Sequence, residues 1–173
     1  MKTLSKLLSY IVIMSLFSSC YTYKVFPKEY RKLVNSEPKQ VAYITNEADS
    51  LKKEINILQS SDIYSFTKDS TAAEIKIKVY PIINGKWPCG QGTILTMITI
   101  GQIPIRFPDS YFFSFDEIKN NITIKRKYNL KVAQRIWFWD MFVFNKNFNK
   151  KAGKALLGEY KNNGLAESLR PEH

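Results

Sequence analysis

Residues 73–80 alternate with a period of two. Ile75, Ile77 and Val79 fall on one side, and Glu74, Lys76, Lys78 and Tyr80 on the other. That pattern predicts a strand from Ala73 to Tyr80 with one wet face, ended by Pro81 and Asn84-Gly85. The period returns twice downstream. Tyr111, Phe113 and Phe115 alternate with Phe112, Ser114 and Asp116. Ile122, Ile124, Tyr128, Leu130 and Val132 alternate with Thr123, Lys125, Lys127, Asn129 and Lys131, and Arg126 is the one break in phase. A short polar link at Lys119-Asn120 joins the two runs, so they read as an antiparallel hairpin. Gln40 to Thr45 (QVAYIT) reads as a further short strand.

Two segments carry helical spacing instead. Leu51, Ile55 and Leu58 form one stripe, with Lys52, Lys53 and Asn56 elsewhere on the wheel. Asn46 is the expected N-cap of this helix, which spans about Glu47 to Gln59. Its narrow apolar stripe suits a helix that covers one face of a sheet. Residues 147–163 predict a final helix with Phe148, Ala152, Leu156 and Tyr160 on one stripe and lysines dominating the rest. Gly153 and Gly158 weaken it by about 1 kcal/mol each relative to Ala, and Gly164 is a natural stop. The expected fold class is α+β: a small antiparallel sheet of about four or five strands, one packed helix and a basic C-terminal helix. It forms a single domain over residues 40–165, with residues 166–173 a disordered tail.

The amino-terminal end has a different character. Lys2 and Lys6 precede an apolar run from Leu7 to Phe17, then Ser18-Ser19 and Cys20. This is the order of a basic n-region, a short h-region and a small-residue cleavage site. The run is too short to span a bilayer, which needs about 20 residues of helix. Phe17-Ser18-Ser19-Cys20 resembles the lipobox of bacterial lipoproteins, with Phe17 where Leu is usual. The resemblance implies that residues 1–19 are a signal peptide and that Cys20 is acylated. The competing account is an ordinary signal peptide cleaved nearby. Residues 20–39 then form the acylated cysteine and its tether. Within them, Tyr21 to Tyr30 admits two readings: an aromatic, basic tether resting on head groups, or an edge strand over Tyr21–Phe26. With Cys20 lipidated, Cys89 has no partner and reads as a small buried hydrophobe; without lipid, a Cys20–Cys89 disulfide stands open.

Two apolar runs interrupt the alternation. Residues 93–105 (TILTMITIGQIPI) carry no charge, and residues 136–144 (IWFWDMFVF) hold two Trp and three Phe. Either they are core, or they lie against a bilayer surface, where Trp is favoured and flanking cations help. Asp140 falls inside the second run and should be either paired or solvent-facing, with Arg135 a partner within reach along the chain. The formal charge is +11, and from Lys125 onward eleven Lys/Arg face four Asp/Glu. Such a surface can attract anionic lipid head groups or polyanions, or, more commonly, it simply serves solubility. Nucleic acid is not an expected partner of an exported chain.

The chemistry that the chain lacks is informative. Its single histidine is the C-terminal His173, so a positioned Ser-His-Asp or Cys-His site is not expected, nor is zinc held by several His and Cys. Gly90-Gln91-Gly92 lacks the rest of a phosphate-loop or dinucleotide fingerprint and reads as a tight turn. Asp116 and Glu117 are adjacent, which sends them to opposite faces of a strand.

The order of these features is itself familiar. Cys20 is followed by a helix ending at Ile57-Leu58-Gln59-Ser60-Ser61, the Glu74–Tyr80 strand, the segment Ile94–Pro104 and then Trp137-Phe138-Trp139. This is similar to a loose group of small bacterial lipoproteins with an LTLGLIP-like segment ahead of an aromatic one. Here Ile replaces Leu, and Gln102 stands for an apolar residue. The Lys, Asn and Ile richness resembles that of AT-rich bacteria such as Bacteroidota members. Tyr21 after the cysteine differs from the Asp that resembles an inner-membrane retention signal. The resemblance therefore implies a lipid-anchored protein of the cell envelope, in the outer membrane and facing the periplasm. The expected role is structural or binding, without catalysis or cofactor. Its partners are the lipid bilayer, reached through acylated Cys20, and an envelope protein. The surface expected to meet them combines Trp137, Trp139 and Phe142 with Lys150, Lys151 and Lys154. The rival functions are a hydrolase acting on envelope polymers through Asp116 or Asp140, and a module binding a ligand or toxin.

Overall fold

The computed structural model describes residues 21–85, 105–107, 109–137, 139–140 and 147–168. In chain order the strands and helices are β1 (Tyr21–Val25), a 3-10 turn (Lys28–Arg31), β2 (Gln40–Ile44), a second 3-10 turn (Asp49–Leu51), α1 (Lys52–Ser60), β3 (Tyr64–Phe66), β4 (Ile75–Val79), β5 (Ile83–Asn84), β6 (Ile105–Phe107), β7 (Ser110–Lys119), β8 (Ile122–Ile136) and α2 (Phe148–Ser168).

The β7–β8 hairpin is the frame. It pairs antiparallel from Lys119↔Ile122 at the turn to Ser110↔Lys131. Asn120 and Asn121 both take positive φ, 50° and 63°, which is the two-residue turn that matches the twist of a hairpin. The rest of the sheet is added on both sides in the order β1-β8-β7-β4-β2-β3, with β5 on β7 and β6 on β8. The described sheet thus has eight strands and is mixed, not a small antiparallel sheet of four or five. The difference lies in β2, which runs parallel to both β3 and β4. A parallel pair needs a crossover of a dozen residues or more, and α1 lies within the one between β2 and β3.

One face of the sheet carries the core. Ile75, Ile77 and Val79 of β4, Phe113 and Phe115 of β7, and Tyr128, Leu130 and Val132 of β8 are buried there. Ile55, Ile57 and Leu58 from α1 and Ala152, Ala155, Leu156 and Leu157 from α2 join the same cluster. Ile122 and Ile124 continue the alternation of β8 but stand exposed near the hairpin tip.

Three local expectations change. Asn46 does not cap α1. Its side-chain amide donates to Val79 O at 2.7 Å and its Oδ1 accepts from Val79 N at 2.9 Å, so the amide extends the β2–β4 ladder. The Asp49–Leu51 turn leads into α1 instead, which begins at Lys52 rather than near Glu47. Gly164 does not stop α2, which continues to Ser168, inside the expected tail. Of the two readings of residues 21–30, the structure contains the strand. β1 pairs antiparallel with β8, from Tyr21↔Ile136 to Val25↔Val132, and Val25 joins the core. The folded unit therefore begins before residue 40.

The two helix glycines have tertiary reasons. A Cβ on Gly153 would stand 2.6 Å from the Ser60 carbonyl carbon, and one on Gly158 would stand 2.2 Å from the Tyr30 ring. Both positions trade helix propensity for close approach.

Candidate functional site

Among the described residues, β1 pairs on one side only. The 3-10 turn and the first two turns of α2 lie against β1, beside the end of β8 with which it pairs. Between them lies a cavity of about 450 Å³, of a size that fits small ligands. Lys24, Arg31, Arg135, Lys150, Lys151 and Lys154 line it, together with Thr22, Tyr23 and Val25. Six of the nine lining residues are thus cationic and none is acidic.

Register and helix period explain the convergence. Thr22 pairs with Arg135 across β1 and β8, which places residues distant in sequence side by side. Lys150, Lys151 and Lys154 lie one turn apart or less at the start of α2. Asn147 caps that helix, its Oδ1 accepting from Lys150 N at 3.1 Å. Tyr23 and Tyr111 meet Phe148 edge-to-face at 5.1 and 5.0 Å and pin the first turn to the sheet. Lys53 lies 4.8 Å above the Phe148 ring.

Several of the cations are held in place. Arg31 Nε donates to Val25 O at 2.9 Å, and its guanidinium lies 5.2 Å over the Phe26 ring. Lys154 Nζ donates to Leu33 O at 2.5 Å. Arg135 forks onto Asp140, with Nε donating to Oδ2 at 3.0 Å and a second nitrogen donating to Oδ1. It also lies 4.9 Å over the Trp137 ring. Asp140 is fully buried, so its charge is spent on Arg135.

The residues expected to form a surface are partly brought together. Lys150, Lys151 and Lys154 share the cavity. Trp137 reaches it through Arg135, and Trp139 stands half exposed one residue before Asp140. Cys20 and Phe142 lie outside the described residues, as do Cys89, residues 93–104 and residues 141–144. Sequence reasoning missed Lys24 and Arg31 as members of the site and saw Arg135 only as a partner of Asp140. The available signal was the alternation in Tyr21–Val25, which turns Lys24 away from the core side chains of Tyr23 and Val25.

The rival carboxylates are engaged separately. Asp140 is bound by Arg135, and Asp116 accepts from the Tyr80 hydroxyl at 2.6 Å. Glu117 faces the core, opposite to Asp116, and accepts from Arg126 Nε at 3.0 Å. Tyr64 and Tyr160 lie near that pair, and burial first, then the Glu117 charge, pushes both phenols up from their ordinary value. Tyr111 is also pushed up, by burial and then by its hydrogen bond to Asp109. No helix among the described residues is long and apolar enough to cross a membrane. Compared with known proteins, the chain matches no family model and no curated protein matches it in sequence.

Proposed function

We propose that the protein is a lipid-anchored component of a bacterial cell envelope, held by acylated Cys20 in the outer membrane and facing the periplasm. Its role is binding or structural rather than catalytic, with the bilayer and a further envelope component as partners. The observation that carries this reading is the placement of β1. The strand begins one residue after Cys20, and four of its residues, Thr22 to Val25, wall the basic cavity. An anchor at Cys20 therefore brings Lys24, Arg31, Lys150, Lys151 and Lys154 to a membrane surface. Each Lys or Arg near an anionic surface adds about 1 kcal/mol of attraction. Trp139, half exposed, suits the interfacial layer.

Intact-mass measurement of the protein from a Gram-negative host tests the reading, with Cys20→Ser alongside. The expected wild-type mass begins at Cys20 and carries added acyl chains, and Cys20→Ser carries none. A mature chain that starts elsewhere, or a bare Cys20, overturns it.

A further inference from the structure

We infer that the basic cavity is a binding site for the phosphate of a lipid head group. The inference deepens the proposed function, since it takes its ligand from the membrane that the anchor supplies.

The first argument is charge. Six cations from β1, the 3-10 turn, β8 and α2 converge on one cavity, and Asp140 answers one of them, Arg135. Like charges brought together repel, and the N-terminal end of α2 adds its own positive partial charge. Helices usually place acids in the first turn to answer that charge, and α2 has none there. Nothing described in the chain balances Lys150 and Lys151. A compact anion of one or two charges would, and phosphate oxygens match ammonium and guanidinium donors.

The second argument is preorganisation. Arg31 and Lys154 are each fixed by a main-chain carbonyl, and Arg135 is fixed by Asp140. Each spends only part of its donor capacity there, since Arg has five N–H donors and Lys three. The remaining donors are already ordered, so a ligand would not have to order these side chains.

The third argument is depth. Thr22 lies in the cavity wall two residues past Cys20. At about 3.4 Å per residue, that is roughly 7 Å from an acylated cysteine. The polar layer of a bilayer is about 5–8 Å thick on each side. An anchor at Cys20 would hold the cavity within reach of head-group phosphates. Its volume of about 450 Å³ admits a phosphodiester with its glycerol, more than a bare phosphate requires.

The test uses the full chain carrying Cys20→Ser in non-ionic detergent, so that no acyl chain contributes. Dihexanoyl-phosphatidylglycerol, dihexanoyl-phosphatidylcholine and inorganic pyrophosphate are titrated by calorimetry. The expected result is tighter binding of phosphatidylglycerol than of phosphatidylcholine, weakened by salt. Lys150→Gln with Lys151→Gln should weaken phosphatidylglycerol binding by roughly 30-fold, with the melting temperature preserved. Equal binding of the two lipids, or a double variant that binds like its parent, overturns the site. Pyrophosphate bound more tightly than phosphatidylglycerol overturns the lipid as its source. The outcome is separable from the anchor: acylated Cys20 without lipid binding sinks this inference alone, and a bare Cys20 with lipid binding sinks the anchor alone.

Discussion

Gly153→Ala sets two magnitudes of opposite sign against each other. Gly153 lies inside a 21-residue helix, where Ala is better by about 1 kcal/mol. Propensity alone therefore predicts a more stable protein. The structure predicts the reverse. The new Cβ would meet the Ser60 carbonyl carbon at 2.6 Å, its oxygen at 2.7 Å and Ser61 N at 2.8 Å. All three are backbone atoms, so no side chain can swing away. Ordinary contact begins near 3.4 Å, so α1 and α2 must part by most of an ångström. Ser61 is buried and ties the end of α1 through Oγ to Leu58 O at 2.6 Å, which resists a local retreat. Parting the helices also loosens the cluster that Ile57 and Leu58 share with Leu156 and Leu157, and a gap of that size forfeits a quarter to a half of a dispersion contact. Overpacking of this kind costs about 1–3 kcal/mol, and a backbone clash belongs at the upper end. Net of propensity, the loss is about 2 kcal/mol, or about 4–8 °C in Tm for a chain of this size. Urea and thermal unfolding followed by circular dichroism measure it. Gly158→Ala is the companion, because its clash is with the Tyr30 ring and should be relieved in Tyr30→Ala. A Gly153→Ala protein that melts at or above the wild type would refute the close helix contact.

Asp140→Asn should lower stability by about 3 kcal/mol, because it strands Arg135 beside a fully buried site. A double-mutant cycle with Arg135→Met measures the coupling, and a value near zero would remove the pair from the account. Tyr64 titrates above its ordinary value when folded, so its contribution is fully present below about pH 10 and is lost as pH rises beyond it. The stability of Tyr64→Phe should therefore fall less steeply above pH 10, by about 1.4 kcal/mol per pH unit, in urea titrations from pH 9 to 11.5. Lys150→Glu replaces a cation with an acid in the first turn of α2. It should raise stability by about 0.5 kcal/mol at low salt while abolishing binding of the anionic lipid, read by melting and by calorimetry on the same preparation.

The parts of the fold legible in the sequence are those with a local period. Tyr111, Phe113 and Phe115 against Tyr128, Leu130 and Val132 gave the hairpin, and Leu51, Ile55 and Leu58 gave α1. The parallel pairing was not legible. β3 has three residues, too few to show alternation, and its pairing with β2 depends on a crossover that leaves no local mark. The break in phase at Arg126 had a cause outside its own strand: Glu117 continues the buried side of β7, and the two meet across the hairpin. Asn46 misled because a side chain that can cap a helix can also complete a ladder, and Val79 offered both its N–H and its carbonyl. At the site, the lysines of α2 were visible as a run. Their meeting with Lys24, Arg31 and Arg135 was not, since it depends on the pairing Thr22↔Arg135.

Helix α2 breaks three rules of a good helix, and the breaks divide into two kinds. Gly153 and Gly158 weaken it, but each has a neighbour that needs the space, Ser60 in one case and Tyr30 in the other. Those departures serve the fold. The basic start of the helix has no such neighbour: Lys150 and Lys151 stand where positive charge is least favourable, beside three further cations that β1, the 3-10 turn and β8 bring to the same cavity. A sequence selected for stability alone would place an acid there. Where local rules fail without a structural beneficiary, a functional or strained site is the expected reason. For this cavity a beneficiary of negative charge is the one its lining fits, which is the reading that the lipid titration tests.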